Sequence, residues 1–164
     1  MTSLKNLSAT LFPKIPKWIV AAFFISALIG FSDASFLAIE HYRGVMPPCS
    51  IISGCEKVTT SVYSEIFGIP LALFGAIYYF TLLILIIAYF DLKKAIILKI
   101  TALITPIGLL ASLYFIYLQL IVIKAICLYC MISAVASIVL FVLGVIILRR
   151  LSLSAGQYYD NIDL

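Results

Sequence analysis

Four long runs of apolar residues dominate this sequence and leave few folds open to it. They cover residues 18–39, 66–90, 100–123 and 125–148, and the only charged residue among them is Asp33. Each run exceeds the roughly 20 residues that an α-helix needs to cross a bilayer. Because backbone polar groups in lipid must form their hydrogen bonds internally, we expect these runs to be helices. The sequence therefore predicts an all-α integral membrane protein, a bundle of four transmembrane helices.

One of the segments between and around these runs is a long outer loop, and the others are short. These segments are a lead at 1–17, a loop at 40–65, a connection at 91–99 and a tail at 149–164. With a cytoplasmic N-terminus, eight of the eleven basic residues lie on the cytoplasmic side and three on the outer side. This bias predicts a multi-pass protein of the cell membrane with both termini in the cytoplasm. The net charge of +4 follows from that topology, and we predict no nucleic-acid partner.

This orientation places all four cysteines on the extracytoplasmic side, where disulfides form and persist. Cys49 and Cys55 lie in the outer loop, and Cys127 and Cys130 lie at the outer end of the fourth helix. The C-x-x-C spacing at a helix start places both thiols on one face, where the helix N-terminus stabilises a thiolate. Apolar residues follow Cys130, so this thiol would face a space suited to a quinone. The two pairs predict a thiol–disulfide relay from a soluble partner to a membrane carrier.

Three other interpretations of the cysteines stay open at this point. They are two static disulfides that brace the outer face, a four-cysteine zinc site, and buried cysteines without a role. The zinc interpretation is the weaker of the first two because the loop spacing is longer than C-x-x-C, and we predict no metal. The corresponding alternative function is a small disulfide-braced membrane transporter or scaffold without redox turnover.

Two titratable residues near the outer end of the first helix have no assigned role. Asp33 lies about two turns inside the membrane, where an acid is costly and by default suggests a function. The alternative is an acid that only orients its neighbours. His41 is the only histidine. It either shuttles a proton or is a solvated interfacial residue.

Three local patterns predict further structure. Small residues recur every fourth position in helix 1, which favours close approach of a neighbouring helix. The pattern after Glu56, with Val58, Val62 and Ile66 on one face, predicts a short surface helix that caps the bundle. Pro106 predicts a kink in helix 3.

The order and spacing of several motifs resemble the vitamin K epoxide reductase family. The motifs are Cys49, Cys55, Ser61, the run YSEIFGIPLALFG at 63–75, and CLYC at 127–130. The resemblance covers roughly residues 18–148. It is greater to the bacterial and archaeal branch than to the animal enzymes, and we expect a member without a fused thioredoxin domain.

This resemblance implies a four-helix bundle around a quinone of the ubiquinone or menaquinone type, capped by the outer loop. It implies that Cys130 faces the quinone, that Cys127 exchanges with Cys55, and that Cys49 completes the loop disulfide that meets the partner. These four cysteines are the predicted catalytic residues. Cys130, Ser61, Ser64 and Phe67 are the predicted quinone-binding residues.

The implied activity is that of a membrane thiol oxidase. It would reoxidise a secreted thioredoxin-fold, DsbA-like protein and pass electrons to a membrane quinone, which supports disulfide formation. The chain has Ser64 and Ala134 where the animal enzymes have asparagine and tyrosine, which puts vitamin K epoxide in doubt as a substrate. The other four-helix quinone-coupled oxidase, of the disulfide bond protein B type, usually carries its C-x-x-C in the first outer loop and fits less well.

Overall fold

Four long helices form a membrane-type bundle, as the apolar runs predict. The computed structural model describes residues 15–45 and 54–160, with side chains to residue 153, so most of the lead and Cys49 lie outside the described residues. The helices are α1 Lys17–Arg43, α3 Leu71–Leu92, α4 Ala95–Tyr117 and α5 Leu128–Asp160. All four are long and apolar enough to cross a membrane. The predicted fold class is confirmed.

Small residues allow the first helix to pack closely in the bundle. α1 packs against α3 and α5, and α4 packs against α5. Gly30 lies under the ring of Tyr79, where a Cβ atom would overlap that ring. Further along α1, the Cβ of Ala34 would lie 3.5 Å from a Cβ built on Gly75 of α3. The predicted close approach along this face is therefore confirmed.

The last two long helices, α4 and α5, are joined by an irregular turn. After Tyr117 the α-helix widens into a π-helix, Leu118–Ile123, and Lys124 closes it with a left-handed backbone (φ 52°). Residues 124–127 then lead into α5, which begins at Leu128 rather than at the predicted residue 125. Pro106 lies inside α4, and the change of helical form comes more than two turns later. Short π-helical segments are frequent at functional sites.

The outer loop forms a smaller cap than the sequence predicts. The helix α2 spans only Cys55–Thr59. It ends there because hydroxyl groups bond back to its carbonyl groups: Thr59 Oγ1 donates to Cys55 O at 2.9 Å and Thr60 Oγ1 to Glu56 O at 2.7 Å. Such side chains compete with the regular helical pattern. The expected apolar face running to Ile66 is therefore not formed.

A two-stranded hairpin follows and delays the start of α3. The strands are β1 Glu65–Ile66 and β2 Ile69–Pro70, and Ile66 pairs with Ile69. Phe67 and Gly68 at the tip both have positive φ, 53° and 76°. That backbone is the usual two-residue turn of a tight hairpin. The helix α3 therefore begins at Leu71, after Pro70, and not at residue 66, where the apolar run begins.

Candidate functional site

The C-x-x-C motif lies where the 124–127 turn meets α5. Cys127 immediately precedes the helix, and its carbonyl oxygen accepts the first helical bond, from Met131 N at 3.1 Å. Both thiols are free. The Cys130 thiol donates a hydrogen bond to Cys127 Sγ, and the backbone N–H groups of Tyr129 and Cys130 add to it. The first turn of the helix therefore directs several donors at one sulfur atom.

These donors make Cys127 the more acidic thiol of the pair. The hydrogen bond from Cys130 is the largest cause, and it lowers the pKa of Cys127 to about 7 although burial opposes it. The ordinary pKa of a cysteine is about 8.5. A substantial fraction of Cys127 is therefore thiolate at neutral pH, and the thiolate is the form that attacks a disulfide.

Gln119 holds the turn that carries Cys127. Its side-chain Oε1 accepts a hydrogen bond from Cys127 N at 2.8 Å, and its backbone oxygen accepts one from Ala125 N at 3.1 Å. The residue is 2% exposed. Because the first N–H groups of a helix have no partner within it, an acceptor from the π-helix satisfies a group that burial would otherwise leave unpaired.

The cap segment, residues 54–70, also touches the 124–127 turn. A Cβ atom on Gly54 would lie 2.5 Å from Ile126 O and 2.8 Å from Ile126 N, so only glycine allows this approach. Gly54 precedes Cys55, and Ile126 precedes Cys127; both cysteines are completely buried. Cys55 is disulfide-bonded, whereas Cys127 is free. A disulfide between Cys55 and Cys127 is therefore not formed in this state, although the two backbones are in contact next to them.

A cavity of about 630 Å³ lies beneath the cap and between the helices. Its apolar wall includes Ala34, Leu37 and Phe115, and its polar lining includes Asp33 and Ser133. Cys130 lines this cavity, and Cys127 does not. The two thiols of one motif thus face different surroundings: one faces the cavity, and the other lies against the turn that Gly54 covers.

The family of the chain is decided by its sequence match. The model of the Vitamin K epoxide reductase family matches residues 21–145. The chain belongs to this family. The matched part includes both the outer loop and the C-x-x-C motif, and the resemblance predicted from these motifs is confirmed. No curated protein gives a significant match to the chain.

Because it belongs to the vitamin K epoxide reductase family, this protein is a membrane oxidoreductase that acts in disulfide formation. Members of this family use quinones and generally work with thioredoxin-like proteins. The interpretation as a transporter or scaffold without redox turnover does not agree with this membership.

Three of the predicted quinone-binding residues of this family member line the cavity, and one does not. Cys130, Ser61 and Ser64 are in its lining. The two serine hydroxyls donate to nearby carbonyls of the cap, Ser61 to Val58 O at 2.8 Å and Ser64 to Ser61 O at 2.7 Å. Phe67 lies at the hairpin tip with its side chain completely exposed, because the left-handed turn directs it away from the bundle. Phe67 is therefore not among the residues that line the cavity.

A buried polar network in this family member was not predicted from the sequence. The Tyr79 hydroxyl donates to Ser133 O at 2.7 Å and lies 3.0 Å from Ser133 Oγ and 2.7 Å from Ser137 Oγ. The contact of Gln119 with Cys127 is also not predicted from the sequence. Each of these is a polar residue within an apolar run, and such residues inside membrane spans are by default functional. The same signal that marks Asp33 therefore marks these residues as well.

Proposed function

We propose that this protein is an extracytoplasmic-side thiol oxidase that passes electrons from a thioredoxin-fold protein to a membrane quinone. The observation that carries the proposal is the division of tasks within the C-x-x-C motif. Cys130 lines the cavity, whereas the buried Cys127 lies beside the cap segment that carries Cys55. One thiol is thus available to a membrane carrier and the other to the loop.

The cavity has the properties that a quinone ring requires. Its volume of about 630 Å³ lies within the usual range of about 300–1,000 Å³ for small-molecule sites. The aliphatic and aromatic walls suit an apolar ring, and the Ser133 hydroxyl offers a polar partner for a carbonyl oxygen. A bound quinone supplies an acceptor for two electrons and two protons. The residues that would hold it are Cys130, Ser133, Phe115 and Leu37.

The electrons move inward through two exchange steps. The partner first reduces the loop disulfide and is itself oxidised. The Cys55 thiolate then attacks Cys127 of a Cys127–Cys130 disulfide and releases the Cys130 thiolate. Cys49, which lies outside the described residues, attacks Cys55, restores the loop disulfide and releases the Cys127 thiolate. The outcome is a reduced C-x-x-C pair beside a disulfide-bonded Cys55, the state in which these residues are found.

The features around Cys127 support these steps. A released thiolate is a good leaving group when its pKa is low. The hydrogen bond from Cys130 and the helix N–H groups stabilise that thiolate. Gln119 fixes the backbone on which the sulfur is carried. The contact of Gly54 with Ile126 brings the cap close enough for a short movement to join the two sulfur atoms.

The test is to trap the intermediate between the two pairs. In Cys130→Ala, Cys127 has no partner in its own motif, so we expect a Cys55–Cys127 mixed disulfide, detected by mass spectrometry of alkylated peptides. The matched control is Cys127→Ala, in which Cys130 should not link to Cys55. Purified protein in lipid should also reduce an added quinone when it is given a reduced thioredoxin-fold protein. Absence of the Cys55–Cys127 link together with absence of quinone reduction would refute the proposal.

A further inference from the structure

Asp33 is a buried acid that the exchange steps do not use. It is 9% exposed, in the outer third of α1. Within residues 15–45 and 54–153, its Oδ2 atom has no hydrogen-bond partner and its carboxyl group is in no ion pair. A polar group that is buried and unpaired in a membrane span is costly, which points to a ligand or a reaction that uses it.

The side chain of Asp33 belongs to the same cavity as the redox pair. Asp33, Cys130 and Ser133 all line it. The carboxyl group is near enough to interact electrostatically with Cys127, Cys130 and Tyr79. The Tyr79 hydroxyl is occupied by Ser133 and Ser137, so it does not satisfy the acid. The free oxygen of Asp33 is therefore left for a molecule in the cavity.

One face of α1 connects this acid to the mouth of the cavity. Asp33, Leu37, Glu40 and His41 line the cavity at helical spacing. At about 1.5 Å per residue, His41 lies roughly 12 Å further along the helix. There His41 Nε2 lies 3.0 Å from Glu65 Oε1 of the hairpin, and both side chains are partly exposed. The mouth thus carries groups that exchange protons with water, and Asp33 is the titratable group at the inner end of that face.

We propose that Asp33 is the proton donor of the cavity and delivers one of the two protons that quinone reduction requires. This inference rests on the proposed function. Oxidation of the Cys127 thiolate and the Cys130 thiol to a disulfide yields two electrons but only one proton. The second proton comes from Asp33, whose neutral form is favoured by burial. The resulting carboxylate is reprotonated from water through the mouth, past Glu40 and the His41–Glu65 pair.

The decisive variant is Asp33→Asn, which keeps the size of the side chain and removes its proton. The matched control is Asp91→Asn, the same change at the exposed end of α3 that does not line the cavity. We expect Asp33→Asn to slow quinone reduction by about 100-fold, a usual contribution of general acid catalysis. Reduction of the C-x-x-C pair by the thioredoxin-fold protein should stay within about twofold, because thiol exchange precedes that proton transfer. Asp33→Glu should recover part of the rate.

A second readout does not depend on turnover. Infrared spectra of the protein in lipid, recorded in H₂O and in D₂O, should differ by the shift of the C=O band of a neutral carboxylic acid. This band should be missing in Asp33→Asn and present in Asp91→Asn. The inference is overturned if the band persists in Asp33→Asn, if that variant reduces quinone at the wild-type rate, or if both half-reactions slow equally, since that would indicate only a structural role. Failure of the wild-type protein to reduce quinone would overturn the proposed function, and this inference with it.

Discussion

The contact between Gly54 and Ile126 sets how closely the cap approaches the C-x-x-C turn, and Gly54→Ala tests it directly. The added Cβ would lie 2.5 Å from Ile126 O, whereas ordinary contact begins at 3.4 Å. The neighbour is a backbone oxygen, which cannot rotate away as a side chain can. The two backbones must therefore separate by about 0.9 Å.

This separation has a predictable effect on exchange. Overpacking of this kind costs about 1–3 kcal/mol, which corresponds to a factor of roughly 5 to 150 in the population of the close arrangement. Misplacement of reacting atoms by about 1 Å has a similar effect, on the order of 100-fold. We expect electron transfer from Cys55 to Cys127 to slow by about 10- to 100-fold in Gly54→Ala.

The assay follows the two cysteine pairs separately. Oxidised protein is mixed with a reduced thioredoxin-fold protein, quenched in acid at successive times and alkylated, and mass spectrometry counts the thiols in each peptide. Reduction of the loop disulfide should proceed normally in Gly54→Ala, while reduction of Cys127–Cys130 lags. The control is Gly75→Ala, whose Cβ would meet Ala34 Cβ at an ordinary 3.5 Å. A wild-type rate of the second step in a folded Gly54→Ala protein would refute the role assigned to this contact.

Three further substitutions test the surroundings of Cys127 and the buried Tyr79 network. Cys130→Ala removes the main donor to Cys127, so the pKa of Cys127 should rise above about 7. In protein whose Cys49 and Cys55 are replaced by alanine, so that no mixed disulfide forms, the ultraviolet absorbance of the Cys127 thiolate should therefore appear at higher pH. Gln119→Met keeps the length of the side chain but leaves the buried Cys127 N–H unpaired, which should cost about 1–3 kcal/mol in thermal unfolding and slow the reaction of Cys127. Tyr79→Phe removes the hydroxyl from its buried network and should destabilise the bundle by about 1–3 kcal/mol. The same change at the exposed Tyr114 should have little effect.

Each of these expectations has an outcome that contradicts it. An unchanged midpoint of the Cys127 thiolate absorbance in Cys130→Ala would mean that the helix N–H groups alone set the acidity of Cys127. A Gln119→Met protein with normal stability and a normal rate of Cys127 reaction would show that the turn does not depend on the hydrogen bond from Cys127 N to Gln119 Oε1. Equal melting temperatures for Tyr79→Phe and Tyr114→Phe would show that the network contributes no stability.

The four helices and the placement of the C-x-x-C pair were predictable because they depend on local composition. A long uncharged run has few alternatives to a spanning helix, and a C-x-x-C motif at its start can be read from spacing alone. The hairpin was not predicted because Ile66, Ile69 and Pro70 read as part of an apolar run. The positive φ angles of Phe67 and Gly68 override that pattern.

The cavity could not be predicted from any single segment. Asp33, Ser64, Ser112 and Cys130 come from α1, the cap, α4 and α5, and only packing of these elements shows that they share one space. The contact of Gly54 with Ile126 joins residues that are 72 positions apart in the chain. The sequence offers a glycine before a cysteine, but it does not indicate what that glycine touches.

The complete burial of Cys127 has a consequence for selectivity against small molecules. A dithiol–disulfide pair in open contact with the surroundings exchanges with every low-molecular-weight thiol that reaches it, and these thiols would reduce the pair and dissipate its oxidising power. Here the acidic sulfur is 0% exposed. Soluble reductants such as glutathione therefore have no direct path to this sulfur atom. It can exchange only with a sulfur atom of the protein itself.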